Sequence, residues 1–224
     1  MLNQISAFAY IIAAATIVGL VFLKKLGPQY IRLLVLILGI TLLIETGAVW
    51  FVRTFHVKNH WIYNLFTPVQ FLLYAWLFYR ASDGKMQKVV IKYTAWTLIG
   101  FFLFNILVWQ GYTLFNSYTF MLSGLFITFF TLSWLVALYN GPHVRQFNQQ
   151  PMFWVCIGIL FYFPPNIIVT GFIYELYLYS RDLSYRLYQI NKVLNILMYG
   201  FFLIALMVAI LKWKRDAIKP ISTG

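Results

Sequence analysis

The chain has 224 residues, 62% of them hydrophobic and only 10% charged, with a formal net charge of +12. Soluble domains carry about 25% charged residues, so this balance excludes an ordinary soluble domain and belongs to the membrane class. The basic residues are spread between apolar runs and form no basic domain, which excludes nucleic acid as a partner and suits anionic lipid head groups.

A spanning helix needs about 20 mainly apolar residues, and runs of that kind use up nearly the whole sequence. The pattern predicts an all-α membrane protein, a seven-transmembrane-helix bundle forming one integral membrane domain over 1–224. Its spans lie near 5–23, 31–52, 61–80, 89–109, 118–139, 152–173 and 191–211. The first run, Ile5 to Leu23, has no basic residue before it and is followed by Lys24 and Lys25. That polarity reads as an uncleaved first helix, not a secretory signal.

Gly27-Pro28 ends the first hairpin, and the second run carries Glu45, the one acidic residue well inside a span. The third presents Asn64, Pro68, Gln70 and Tyr74, with both the Asn64/Pro68 and the Gln70/Tyr74 pairs at helical spacing. Ser82-Asp83-Gly84 is a turn signal before the fourth run, which holds Asn105 near its end. The break at Gln110-Gly111-Tyr112 is the weakest, and a six-helix reading loses a span there. Asn140-Gly141-Pro142 separates the fifth run from the sixth, which contains Pro164-Pro165-Asn166. Proline removes backbone hydrogen bonds, so Pro68 and the Pro164-Pro165 pair predict kinks. The stretch from Tyr174 to Tyr188 holds five tyrosines with Arg181, Asp182 and Arg186. It reads as an outward extension of the sixth helix or as a helix on the outer surface. The seventh run descends past Asn191 and Asn195.

Lys and Arg favour cytoplasmic loops. The side with the C-terminus carries twelve (Lys24, Lys25, Arg32, Arg80, Lys85, Lys88, Lys92, Arg145, Lys212, Lys214, Arg215 and Lys219), the other five (Arg53, Lys58, Arg181, Arg186 and Lys192). This asymmetry predicts the N-terminus outside and the C-terminus cytoplasmic. Trp50, Trp61, Trp109, Tyr112 and Tyr118 fall at the outer boundary, and Tyr30, Tyr79, Tyr139 and Trp213 at the inner one. Amphipathic rings prefer the head-group layer.

Polar groups in hydrocarbon need partners, and a carboxylate there is a functional candidate by default. Placed by depth, these groups gather in the outer half and suggest an outward-facing polar pocket. Its candidate ligand-binding residues are Glu45, Asn64, Gln70, Tyr74, Asn105, Asn166 and Asn195, with Glu175 at the outer rim. The competing reading is that they hold helices together by interhelical hydrogen bonds.

Other chemistries find little support. The last helix has Lys192 at its mouth and Lys212 at its exit with no lysine between, so a covalent retinal site is excluded. His56 and His60 stand four apart with no third ligand close in sequence, so no metal is called for. His143 has no acidic neighbour, and no nucleophile–base–acid constellation, phosphate loop or zinc-protease helix is present. The sequence therefore points away from an enzyme and calls for no cofactor. Cys156, the only cysteine, rules out an intrachain disulfide. Pro28-Gln29 and Pro165-Asn166 do not occupy corresponding helices of a three-plus-one-plus-three transporter repeat.

The run Asn64-x3-Pro68-x-Gln70-x3-Tyr74, together with Trp154-x3-Gly158-x2-Phe161-Tyr162, resembles a family of small bacterial heptahelical membrane proteins of about this length. That pattern carries an acidic residue at the Gln70 position. The resemblance implies the heptahelical fold and an inner-membrane address, and no particular activity. The functional expectation is a membrane protein of receptor or sensor type, binding a small molecule or lipid and acting through a membrane or cytoplasmic partner protein. A small-solute transporter or channel, and an accessory subunit of a membrane complex, are the alternatives.

Overall fold

Each predicted apolar run folds as a helix in the structure, a computed structural model that describes residues 7–57, 59–111, 115–141 and 144–218. The elements are α1 (Ala7–Val21), α2 (Gln29–Phe55), α3 (His60–Ala81), α4 (Lys85–Phe104), α5 (Ser117–Tyr139), α6 (Pro151–Tyr179) and α7 (Arg181–Ile218). Among the described residues there is no strand. Lys58, Tyr112, Pro142, His143 and Lys219 lie outside the described residues, as do the side chains of Arg145, Glu175 and Arg181.

Local chemistry sets the ends. Pro28 precedes α2 with φ −70° and ψ 140°, an extended geometry that cannot continue a helix. His56 closes α2 in the left-handed region at φ 54°, and its N–H bonds to the Val52 carbonyl. At the weakest predicted break, α4 widens into a π-turn over Asn105–Trp109, with the Gln110 N–H 2.8 Å from the Asn105 carbonyl. Gly111 then takes φ +69°, which ends the helix and separates α4 from α5. Pro68, Pro164 and Pro165 are all accommodated inside continuous helices.

The largest departure from the sequence reading is at the α6–α7 hairpin. Both helices run on, so that Ser180 alone separates them. Helix α7 has 38 residues, about 57 Å at the usual rise, against a hydrocarbon core of about 30 Å. The Tyr-rich segment thus extends both helices and forms no separate surface helix.

Consecutive helices pack on one another through short connections, giving an up-and-down bundle. Helices α1, α2, α3, α5, α6 and α7 form a ring, with α7 closing on α1, and α4 lies outside against α3 and α5. The α6–α7 pairing is the most extensive. Gly158 permits it, since a Cβ there would stand 2.9 Å from the Met198 carbonyl and 3.1 Å from Phe201 Cβ. The Phe201 ring stacks on both Trp154 and Phe161, at 6.2 and 5.6 Å. The core is centred on Tyr74, Phe71 and Phe78 of α3, against Phe163 of α6 and Phe202 of α7.

Five helices (α2, α4, α5, and the apolar parts of α6 and α7) are long and apolar enough to cross a membrane. Helix α1 is apolar but has 15 residues, and α3 carries the polar residues His60, Asn64, Gln70 and Arg80. Large apolar side chains such as Leu36, Leu43, Trp96, Leu107, Leu132 and Ile168 are exposed around the bundle. Burying each from water is worth about 1.5–3 kcal/mol, so the girdle belongs in lipid. This is an integral membrane protein.

Candidate functional site

The seven polar candidates share a depth but not a location. Six of them fall into two clusters that share only α3, and Gln70 joins neither.

The first is built on α2, α3, α6 and α7. Glu45 is half-buried about 15 Å before the end of α2. The Tyr63 hydroxyl on α3 donates to its Oε2 at 3.1 Å. Tyr162 of α6 and Tyr188 and Tyr199 of α7 also lie within electrostatic range of the Glu45 carboxyl. Beside them runs a ladder of amides. Asn191 Nδ2 donates to Asn166 Oδ1 at 2.6 Å, and Asn195 Nδ2 donates to the Asn191 carbonyl and Oδ1 at 2.9 and 2.8 Å. The buried Tyr162 lies close beside these three asparagines. Deeper still lie the buried Tyr199 and Thr41, and the fully buried Tyr74 hydroxyl has no hydrogen-bond partner among the described residues. This column stops there, and nearer the other end the buried polar residues among those described are Thr16, Ser82 and Thr131. Beyond it, toward the end carrying Lys24 and Lys212, the buried core of Leu34, Leu38, Leu77, Phe78, Phe130 and Leu206 is apolar.

A cavity of about 150 Å³ opens on the other side of Glu45, between α1 and α2. Phe8, Ala9, Thr46, Val49, Trp50 and Arg53 complete its lining. Of the seven sequence candidates, Glu45 alone lines it. The carboxyl marks the inner end, and Arg53, eight residues further along α2, marks the outward edge. Between them the walls are aromatic and aliphatic.

The second cluster pins α3, α4 and α5 at the same end of the bundle. Asn64 Oδ1 accepts the Asn116 backbone N–H at 2.8 Å, immediately before α5. Asn105 Nδ2, presented by the π-turn, donates to Gln110 Oε1 at 3.0 Å, to Thr119 Oγ1 at 3.1 Å and to Asn116 Oδ1. Gln110 in turn donates to Ser117 Oγ at 3.0 Å. These bonds hold the α4–α5 connection, and their geometry is that of a staple. Asn64 and Asn105 are thus bonded within this second cluster, and no hydrogen bond between described residues links them to Glu45. Gln70 is half-buried and makes no hydrogen bond to a described residue.

Sequence reasoning missed Tyr63, Tyr162 and Asn191 as members of the Glu45 cluster, and Phe8, Trp50 and Arg53 as its cavity. A signal was present, for Tyr162 precedes Asn166 by four and Asn191 precedes Asn195 by four, which sets each pair on one face. His56 caps α2 and His60 begins α3, and among the described residues no three His, Cys, Asp or Glu side chains converge.

Comparison with family models, with curated proteins and with solved structures returned no match.

Proposed function

We propose that this is a membrane receptor or sensor in which a small molecule or lipid binds beside Glu45 and a partner protein carries the output. The observation that supports it best is the placement of a carboxylate at the inner end of an apolar-walled cavity, within a helix bundle that has almost no other acid. Occupancy of the α1–α2 cavity bears on Glu45, and through Tyr63 and the Tyr162–asparagine ladder on α3, α6 and α7. Ligand binding thus has a physical route to helix rearrangement. In this reading all seven helices span a bacterial inner membrane, the N-terminus lies outside, and the twelve basic residues meet anionic lipid on the cytoplasmic side. The loops between the helices are too short to form an output domain themselves, and in this reading a partner protein supplies it.

The mostly apolar core beyond Tyr74, where the buried polar residues are only small hydroxyls among the described residues, gives less support to transport, which needs a polar path through both halves. An accessory-subunit role draws support from α4, which lies outside the ring with Tyr93, Trp96 and Leu107 exposed.

Native mass spectrometry of the gently purified protein beside Glu45→Ala tests the proposal. A discrete added mass retained by the wild type and lost by the variant supports it. A bare wild-type monomer refutes the binding reading, and a co-purified membrane protein on a bare chain moves the weight to assembly.

A further inference from the structure

Resting on the binding reading above, we infer that the ligand at Glu45 is an amphiphile with an ammonium head group, entering sideways from the lipid between α1 and α2. The argument starts from what the cavity can satisfy. Its walls are Phe8, Ala9, Val49 and Trp50, with Thr46 as the sole hydroxyl. A sugar or other polyhydroxyl ligand would lose its water contacts there and regain few. The inner end holds the Glu45 carboxyl, which repels an anion.

A cation gains from three features at once. Glu45 supplies a counter-charge at a depth where a lone carboxylate is costly, and within the described residues no ion pair involves it. Tyr63 fixes one carboxyl oxygen by its 3.1 Å hydrogen bond. Phe8 and Trp50 line the cavity, and aromatic rings attract ammonium groups through their quadrupole. About 150 Å³ takes an alkylammonium head and little more.

The route follows from exposure. Thr46 and Trp50 stand on the outer surface of the bundle, Trp50 at 61%, so the mouth opens toward the layer where lipid tails and head groups meet. Arg53 sits at the outward edge of the mouth, leaving the inner end to Glu45. A tail can remain in the bilayer while the head reaches the carboxylate.

The test uses the full chain in lipid nanodiscs and three probes of equal tail length: octyltrimethylammonium, octyl sulfate and octyl maltoside, each below its micellar range. Binding is read from Trp50 emission, taken as the difference between wild type and Trp50→Phe, and from the melting temperature. Saturable binding of the ammonium probe, weakened on the order of tenfold or more by Glu45→Gln and kept by Glu45→Asp, supports the inference. Should Glu45→Gln fail to fold, Thr46→Leu, which fills the mouth, must weaken the ammonium probe by a similar factor. Equal binding of all three probes, indifferent to Glu45→Gln, overturns the ammonium assignment and leaves an amphiphile pocket standing. No saturable binding of any probe overturns both.

Discussion

Replacing Gly158 by alanine should loosen the central helix pair of this bundle. The new Cβ would meet the Met198 carbonyl at 2.9 Å and Phe201 Cβ at 3.1 Å. Both neighbours are stiff, one being backbone of α7 and the other the root of a ring stacked on Trp154 and Phe161. Neither can swing away, so α6 and α7 must separate by a few tenths of an ångström along their largest contact. Overpacking of that kind costs about 1–3 kcal/mol, while the helix propensity of alanine returns at most about 1 kcal/mol. With the full return taken, a net loss of about 0–2 kcal/mol follows, and the stiffness of both neighbours places it in the upper part of that range. Gly200, on the partner helix, has nothing within 4 Å of an added Cβ, so Gly200→Ala should be neutral or gain up to about 1 kcal/mol. Unfolding by sodium dodecyl sulfate in mixed micelles, followed by circular dichroism and tryptophan emission, measures both variants on one scale. If Gly158→Ala proves as stable as the wild type or more so, the close α6–α7 crossing is wrong.

Asn64→Leu removes the acceptor of the buried Asn116 N–H and should cost about 1–3 kcal/mol, with faster hydrogen exchange at Asn116. Cys156 is fully buried, so maleimide labelling of the folded protein should be slowed on the order of 100-fold or more, as when access needs an opening of about 3 kcal/mol. Fast labelling under native conditions would show that the α6 core is not packed as described.

Depth along each helix is readable from a sequence because rise per residue is fixed, and that is why every apolar run proved to be a helix. Azimuth is less readable. Asn105 and Asn195 share a depth, yet Asn105 staples α4 to α5 while Asn195 joins the Tyr162 ladder between α6 and α7. Nothing in span positions dictates which helices become neighbours, and the ring that leaves α4 outside could not be deduced from hydropathy. The extension of α6 was one of the two readings of the Tyr174 to Tyr188 stretch, while the early start of α7 at Arg181 escaped for another reason. Tyrosine-rich, mixed-charge sequence is too polar to count as a span and yet continues a helix when two such segments pack as a hairpin. Glu45 stood out because a lone acid in an apolar run is visible without neighbours. Its cavity was hidden, since Phe8 and Trp50 look like any other membrane aromatics.

The single-residue link at Ser180 has a mechanical consequence. From the tight crossing at Gly158 to Ser180 is 22 residues, about 33 Å of continuous helix. With no loop to absorb motion, the hairpin behaves as a lever pivoted in the membrane. A 10° rocking at the crossing carries its tip by about 6 Å, so a displacement too small to notice among the buried asparagines becomes, at the far end, a shift wider than a helical turn.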